Sequence, residues 1–164
     1  GKYLDVGAGT GNLAMIVAQN NPKVEITALE LSADMVTLGE ENIRKKGFQD
    51  QIKFIKGDAA EKELLTELGQ FDLIYSTYSL HHWKNPRKVI DNLMSNLGDH
   101  GAIYLYDLRR VWWLYLITIR HGFFNSIRAA YVSSEVKEML AGYRPEHCEI
   151  RYEFPFMQSV IIRQ

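Results

Sequence analysis

The sequence predicts an α/β domain built on a mostly parallel sheet, and three observations carry that expectation. Short apolar runs alternate with stretches of helical periodicity for most of the chain, as βαβ units on a parallel sheet require. The first run enters a turn with glycines at positions 7, 9 and 11 and leaves it as a helix. A length of 164 residues, 46% of them apolar and 24% charged, suits one globular domain that buries roughly 70% of its unfolded surface.

Each element has a local reason. Residues 3–6 read as a buried strand, 12–20 as a helix stopped by Pro22, and 24–29 as a second strand. Ser32 N-caps the next helix, Asp34 sits in its first turn, and Lys45 and Lys46 precede Gly47 at its end, charges that suit the helix dipole. Gly39 is the flaw in that helix, at about 1 kcal/mol against alanine. Residues 52–55 form a third strand, 61–68 a short helix and 71–76 a fourth strand. After a turn at His81 and His82, Asn85 and Pro86 pair as N-cap and first-position proline of a helix that runs to Leu97 and breaks at Gly98. Residues 102–106 are the fifth strand. The rhythm then changes to an aromatic segment, 108–132, followed by a helix over 134–140 closed at Gly142. A hairpin of 150–154 with 157–162 across Pro155 ends the chain.

Composition excludes several functions. Nineteen Lys and Arg against twenty Asp and Glu leave a formal charge of -1, so the chain lacks the overall positive field of a nucleic-acid binder. Cys148 is the sole cysteine, which rules out a disulfide framework, a CxxC redox pair and a thiolate zinc site, and fits a reducing cytoplasm. It reads as a packed strand residue. The most apolar stretch, residues 111–119, would span about 14 Å as a helix, less than half a bilayer core. The sequence opens without Met directly on a strand, and the expectation is a domain without the helices that would cover that strand.

Residues 3–12 read Tyr-Leu-Asp-Val-Gly-Ala-Gly-Thr-Gly-Asn. Glycines there let the backbone turn sharply and approach a ligand, and free amides at the helix start favour anionic groups. A dinucleotide fingerprint needs G-x-G-x-x-G, whereas this loop is G-x-G-x-G with Asp5 two places before it. On these residues the chain resembles the class I S-adenosylmethionine-dependent methyltransferases, in particular their small-molecule branch, whose first motif looks like Asp5-Val6-Gly7-Ala8-Gly9-Thr10-Gly11. The resemblance covers essentially the whole chain. It implies a Rossmann-like three-layer sandwich with strand order 3-2-1-4-5-7-6, an antiparallel C-terminal hairpin, and one S-adenosylmethionine-binding domain over residues 1–164.

The same resemblance implies roles for single residues. Gly7, Gly9 and Gly11 would admit the donor, Glu30 would hold its ribose hydroxyls with Leu31 beside it, and Asp58 would take the adenine amino group near the Ala59 amide. Asp5 would touch the donor's amino group or tie down the loop, and Ser76 opens the segment after strand four that lies beside the methyl donor. The plain alternatives are a structural turn, a solvated strand end at Glu30, and a helix cap at Asp58. Ser76-Thr77-Tyr78-Ser79 stands where an amino-adenine or glutamine-amide methylase carries Asn-Pro-Pro-Tyr or Asp-Pro-Pro-Tyr, which argues against both. His81 and His82 are candidates for a general base, since an unperturbed imidazole with a pKa of about 6.5 is largely neutral in the cytoplasm. As neighbours in sequence they are expected to point apart, with no ligand cluster for a metal. Tyr78, Arg109 and Trp112 are expected to position the acceptor.

The segment from Arg109 to Phe124 is apolar nearly all round, with arginines near both ends. It reads as a lid over the acceptor pocket or against a second copy of the chain, and otherwise as a membrane-surface anchor for a lipid or quinone acceptor. The resulting expectation is a cytoplasmic methyltransferase acting on a small-molecule or lipid-like acceptor, with self-association open. A donor-binding domain without catalysis and a nucleotide-binding module are the competing classes.

Overall fold

A computed structural model of the chain describes residues 1–111 and 122–164. The elements are β1 (Lys2–Val6), α1 (Asn12–Asn20), β2 (Glu25–Glu30), α2 (Ala33–Lys46), β3 (Ile52–Lys56), α3 (Lys62–Leu68) and β4 (Phe71–Thr77). A 3-10 turn (Leu80–His82) leads into α4 (Pro86–Ser95) and β5 (Leu97–Leu108). The chain closes with α5 (Gly122–Ala129), α6 (Ser133–Met139), β6 (Cys148–Glu153) and β7 (Met157–Arg163). The sheet order is β3-β2-β1-β4-β5-β7-β6. Strands β1 to β5 run parallel, and β7 is antiparallel to both β5 and β6. This is the sandwich the glycine motif implied.

Two apolar layers hold the sheet between helices. On one face Ala14 and Ala18 of α1 and Ile43 of α2 pack on Ile26, Ala28, Ile52 and Phe54. On the other, Leu65, Ile90, Leu93 and Val136 cover Leu4, Ile74, Ile103 and Val160. Because β1 to β4 run parallel between these layers, their C-terminal ends share one edge, which is where open α/β sheets bind ligands.

Local chemistry fixes the boundaries. Ser32 accepts from Met35 N at 3.4 Å and Gly47 ends α2 with φ of 78°, while Asn85 accepts from Lys88 N at 3.1 Å ahead of Pro86. The expected break of α4 at Gly98 is corrected: the helix stops at Ser95, and Leu97 and Gly98 belong to β5. The cause is Asn96. Its side chain donates to Leu65 O at 2.5 Å and Gly69 O at 2.6 Å, and its carbonyl accepts from Phe71 N at 2.9 Å. The chain is thus drawn out of the helix and Leu97 pairs with Phe71. The irregular stretch before Ala102, with His100 at φ of 64°, hid that early start from a periodicity reading. The helix α5 also went unanticipated, inside the aromatic segment. Among the described residues, no helix is long and apolar enough to cross a membrane.

Gly39 has a packing reason that outweighs its propensity. A β-carbon there would lie 2.2 Å from Phe54 Cζ, and one at Gly11 would lie 2.9 Å from the same atom, so the Phe54 ring fills the space that both glycines leave. Gly39→Ala gains about 1 kcal/mol of helix propensity but overpacks this seam, which typically costs ~1–3 kcal/mol. The expected outcome is a lower urea midpoint for Gly39→Ala, and a higher one for the double variant that also carries Phe54→Leu. A Gly39→Ala midpoint at or above the parent's would show that the ring yields freely.

Candidate functional site

A cavity of about 580 Å³ lies at the C-terminal ends of β1, β2 and β3, faced by the turn after β4 and the start of α4. That is the size of a small-molecule or cofactor site. Of the residues singled out by sequence, Gly7, Glu30, Leu31, Asp58, Ala59 and His82 line it. Trp83, Lys84 and Lys88 also line it and were missed. Pro86 and the Asn85 cap could have pointed to them, since such a helix start faces the ligand edge of the sheet.

The glycine turn does not present the free amides its sequence suggested. Gly7 N and Ala8 N donate to Leu29 O at 2.8 and 3.2 Å, and Gly11 N donates to Ala8 O at 3.0 Å. Gly9 N donates to Glu30 Oε2 at 2.9 Å. The amides of Gly7, Ala8, Gly9 and Gly11 are therefore spent within the protein. Gly7, Gly9 and Gly11 all have positive φ, and a β-carbon at Gly9 would meet nothing within 4 Å. Gly11 is held by Phe54 and starts α1, so its requirement is structural.

Glu30 does two jobs at once. Its Oε2 takes Gly9 N and its Oε1 takes Ser32 N, each at 2.9 Å, which ties the β1 turn to the start of α2. A carboxylate offers about four lone-pair sites, so half of its accepting capacity remains. Asp58 Oδ1 accepts from Ala60 N at 2.8 Å, a local turn, whereas the N-cap position of α3 is Glu61. Asp5 is 2% exposed, and its Oδ2 has no hydrogen-bond partner among the described residues. Burial, countered in part by the neighbouring Tyr75 hydroxyl and reinforced by the Glu30 charge, pushes its carboxyl up to about 7. The Tyr75 hydroxyl lies beside it yet is itself without a hydrogen-bond partner among the described residues, and burial followed by the Asp5 charge raises its pKa.

The turn after β4 packs against the glycine turn. A β-carbon at Gly7 would lie 2.2 Å from Ser79 Oγ, so only glycine permits that approach. Ser76, 2% exposed, donates through Oγ to Val6 O at 2.7 Å and is absent from the cavity lining; its hydroxyl braces the turn from below. Tyr78 adopts φ of 56° and sets its ring edge-on to Tyr106 at 6.1 Å. The two histidines do not point apart as expected. Folded into the 3-10 turn, their rings meet at 4.0 Å and 42°. Burial first, and then His81, lowers the His82 pKa, with Asp107 opposing. Arg109 lies away from the cavity, its guanidinium 4.4 Å over the Tyr152 ring and its backbone N–H donated to Phe156 O at 2.7 Å. Trp112 and most of the expected lid fall outside the described residues. Cys148 is half-buried in β6.

A family model for a methyltransferase domain matches residues 1–141. The chain is 28% identical over 134 residues to a malonyl-[acyl-carrier protein] O-methyltransferase of Priestia megaterium, covering 82% of this chain and 42% of that protein. It is 25% identical over 108 residues to a demethylmenaquinone methyltransferase of Porphyromonas gingivalis, covering 65% and 43%. The chain thus spans less than half the length of either relative. Among solved structures, the plantazolicin methyltransferase BpumL, in complex with a triazolic desmethylPZN analog and SAH, superposes with a TM-score of 0.80 at 15% identity, covering 99% of this chain and 76% of that one.

The buried Asp5 generates a stability prediction. Its folded-state pKa of about 7 lies above the 3.8 of the exposed group, so it favours the folded state below pH 3.8 and that contribution is lost as pH rises through 7. Asp5→Asn is expected to stabilise the protein at pH 8 relative to the same comparison at pH 4, by on the order of 3 kcal/mol. Urea unfolding of parent and variant at pH 4, 6 and 8 reads the difference, and a pH-independent offset would mean that Asp5 ionises in the folded protein as it does in the unfolded chain.

Proposed function

The chain belongs to the class I S-adenosylmethionine-dependent methyltransferases, and on that footing we propose that its cavity binds S-adenosylmethionine for methyl transfer to a small-molecule or lipid-like acceptor. One observation carries the reading: Asp5, Glu30 and Asp58 stand at the ends of three neighbouring strands around a glycine turn whose Gly7, Ala8, Gly9 and Gly11 amides are already paired. Carboxylates accept hydrogen bonds and attract cations. S-adenosylmethionine offers ribose hydroxyls, an adenine amino group and an ammonium to such a set. At the glycine turn a pyrophosphate would meet the Glu30 carboxylate and find the Gly9 amide taken, which disfavours a nucleotide-binding module.

The fit follows the lining. The lone pairs that Glu30 has left face the ribose hydroxyls, the second oxygen of Asp58 takes the adenine amino group, and Leu31 and Ala59 give the base an apolar bed. Asp5 Oδ2, buried without a partner, meets the ammonium, while Gly7 and Gly9 let the backbone come close. Ser76 serves through Val6. Tyr78 and Arg109 stand toward β5 and the β6–β7 hairpin, the side left to an acceptor. The bound donor supplies an activated methyl on a sulfonium centre, so positioning accounts for much of the rate. The relatives named for demethylmenaquinone and malonyl-[acyl-carrier protein] support an acceptor carrying an apolar body. A sole thiol supports a cytoplasmic site of action.

Calorimetry with S-adenosylhomocysteine tests the donor site. One-to-one binding is expected, and Glu30→Ala should weaken it by about 1.5–3 kcal/mol, the range for hydrogen bonds to a charged group, or roughly ten- to 150-fold. Because Glu30 also clamps Gly9 and Ser32, Glu30→Gln separates the roles: it keeps a carbonyl for one amide but loses the charge. Unchanged affinity in both folded variants, or preferential NAD binding by the parent, would sink the assignment.

Asp58 is checked by base discrimination. An inosine-type analogue lacks the amino group, so the parent should prefer the adenine form and Asp58→Ala should erase that preference. A variant that discriminates as the parent does would reduce Asp58 to a turn former.

A further inference from the structure

Lys84 and Lys88 line the cavity together with Glu30 and Asp58, yet among the described residues neither lysine pairs with a carboxylate. On α4 itself the acid closest to Lys88 is Asp91, and it is already taken: it accepts Arg87 Nε at 3.0 Å and the Tyr143 hydroxyl. An ammonium group has three donors and no acceptor, so Lys88 brings three N–H groups to the cavity with nothing in the protein to receive them.

The fold decides which part of the cavity that group reaches. Asn92, 6% exposed, donates through Nδ2 to Ala59 O at 3.1 Å, which pins α4 against the turn that carries Asp58. Lys88 lies one helical turn before Asn92, on the same side of the helix and nearer the ligand edge. Its backbone N–H is held by Asn85 Oδ1 at 3.1 Å, and Val89 beside it is buried and lines the cavity too. Asp58 and Lys88 thus approach one part of the cavity from two elements, with opposite charges that do not close on each other.

An adenine ring is complementary to such a pair, because one of its edges presents the amino group as donor and N7 as acceptor side by side. We propose that Lys88 is a specificity-determining residue of the donor site, donating to adenine N7 while Asp58 accepts from the amino group. The inference rests on the methyl-donor reading above. Asp58 selects an amino group over a carbonyl, and Lys88 selects a ring nitrogen over a C–H. A single hydrogen bond to the amino group leaves the base free to turn about it, and the second fixes the ring in its plane. Lys84 precedes the Asn85 cap and lies outside the helix, so it adds positive charge to the same wall without sharing the position of Lys88.

Calorimetry with S-adenosylhomocysteine and its 7-deaza analogue, in which N7 is replaced by C–H, tests the contact. The parent is expected to bind the 7-deaza form about five- to tenfold more weakly, the size of one hydrogen bond. Lys88→Met keeps the long stem and the helix propensity, and it should bind both forms alike, near the parent's affinity for the 7-deaza form. Lys84→Met removes a charge of the same sign from the same wall and should keep the parent's preference. A parent that binds both forms equally overturns the assignment, and that result needs no variant to fold. So does a Lys88→Met protein that still prefers the N7 form, or a Lys84→Met protein that loses the preference, with urea midpoints matching the parent's to show that both are folded. If neither form binds the parent, the donor reading falls and the role of Lys88 with it, whereas binding without discrimination removes Lys88 alone.

Discussion

The ligand end of this sheet depends on one carboxylate. By accepting Gly9 N and Ser32 N together, Glu30 closes the β1 turn against the start of α2 and decides what the turn can recognise. A glycine turn at a helix start ordinarily offers amides to an anion. Here the amides of Gly7, Ala8 and Gly9 face β2 instead, and what remains for a ligand is negative charge and lone pairs. The same glycines that would cradle a phosphate in another setting serve as clearance.

That choice has an electrostatic consequence. Asp5 and Glu30 lie close enough for the Glu30 charge to raise the pKa of Asp5, on top of the larger effect of burial. The core therefore holds a carboxyl one of whose oxygens has no hydrogen-bond partner among the described residues, a cost that unpaired buried polar groups impose. A cost of this kind is where binding sites and stability pull in opposite directions.

The turns are coupled through small contacts. Ser76 braces Val6, Ser79 needs Gly7 to lack a side chain, and Asp107 fastens the histidine turn to β5. Three loops from β1, β4 and β5 therefore share one rigid seam, although β1 and β5 are not neighbours in the sheet.

Much of the fold was legible in the sequence because it depends on local rules. Ser32, Gly47 and the Asn85–Pro86 pair mark helix ends by hydrogen bonds that reach no further than a few residues. The glycine spacing with its upstream aspartate pointed to the family, and that resemblance implied Glu30, Leu31 and Asp58, all of which line the cavity. What the sequence could not settle are interactions between distant residues. Gly39 looked like a defect until Phe54 was seen to fill its space. Asn96 ended α4 early by bonding Leu65 and Gly69, and the Gly9 amide of the glycine turn was taken by a glutamate twenty-one residues away. His81 and His82 were equivalent as neighbours in a string, and only the approach of β5 gave one of them an aspartate. Local propensity and spacing are written in the chain because they act between residues close in sequence. The partner of a buried polar group is decided by which strands the fold brings side by side, and that belongs to the tertiary structure alone.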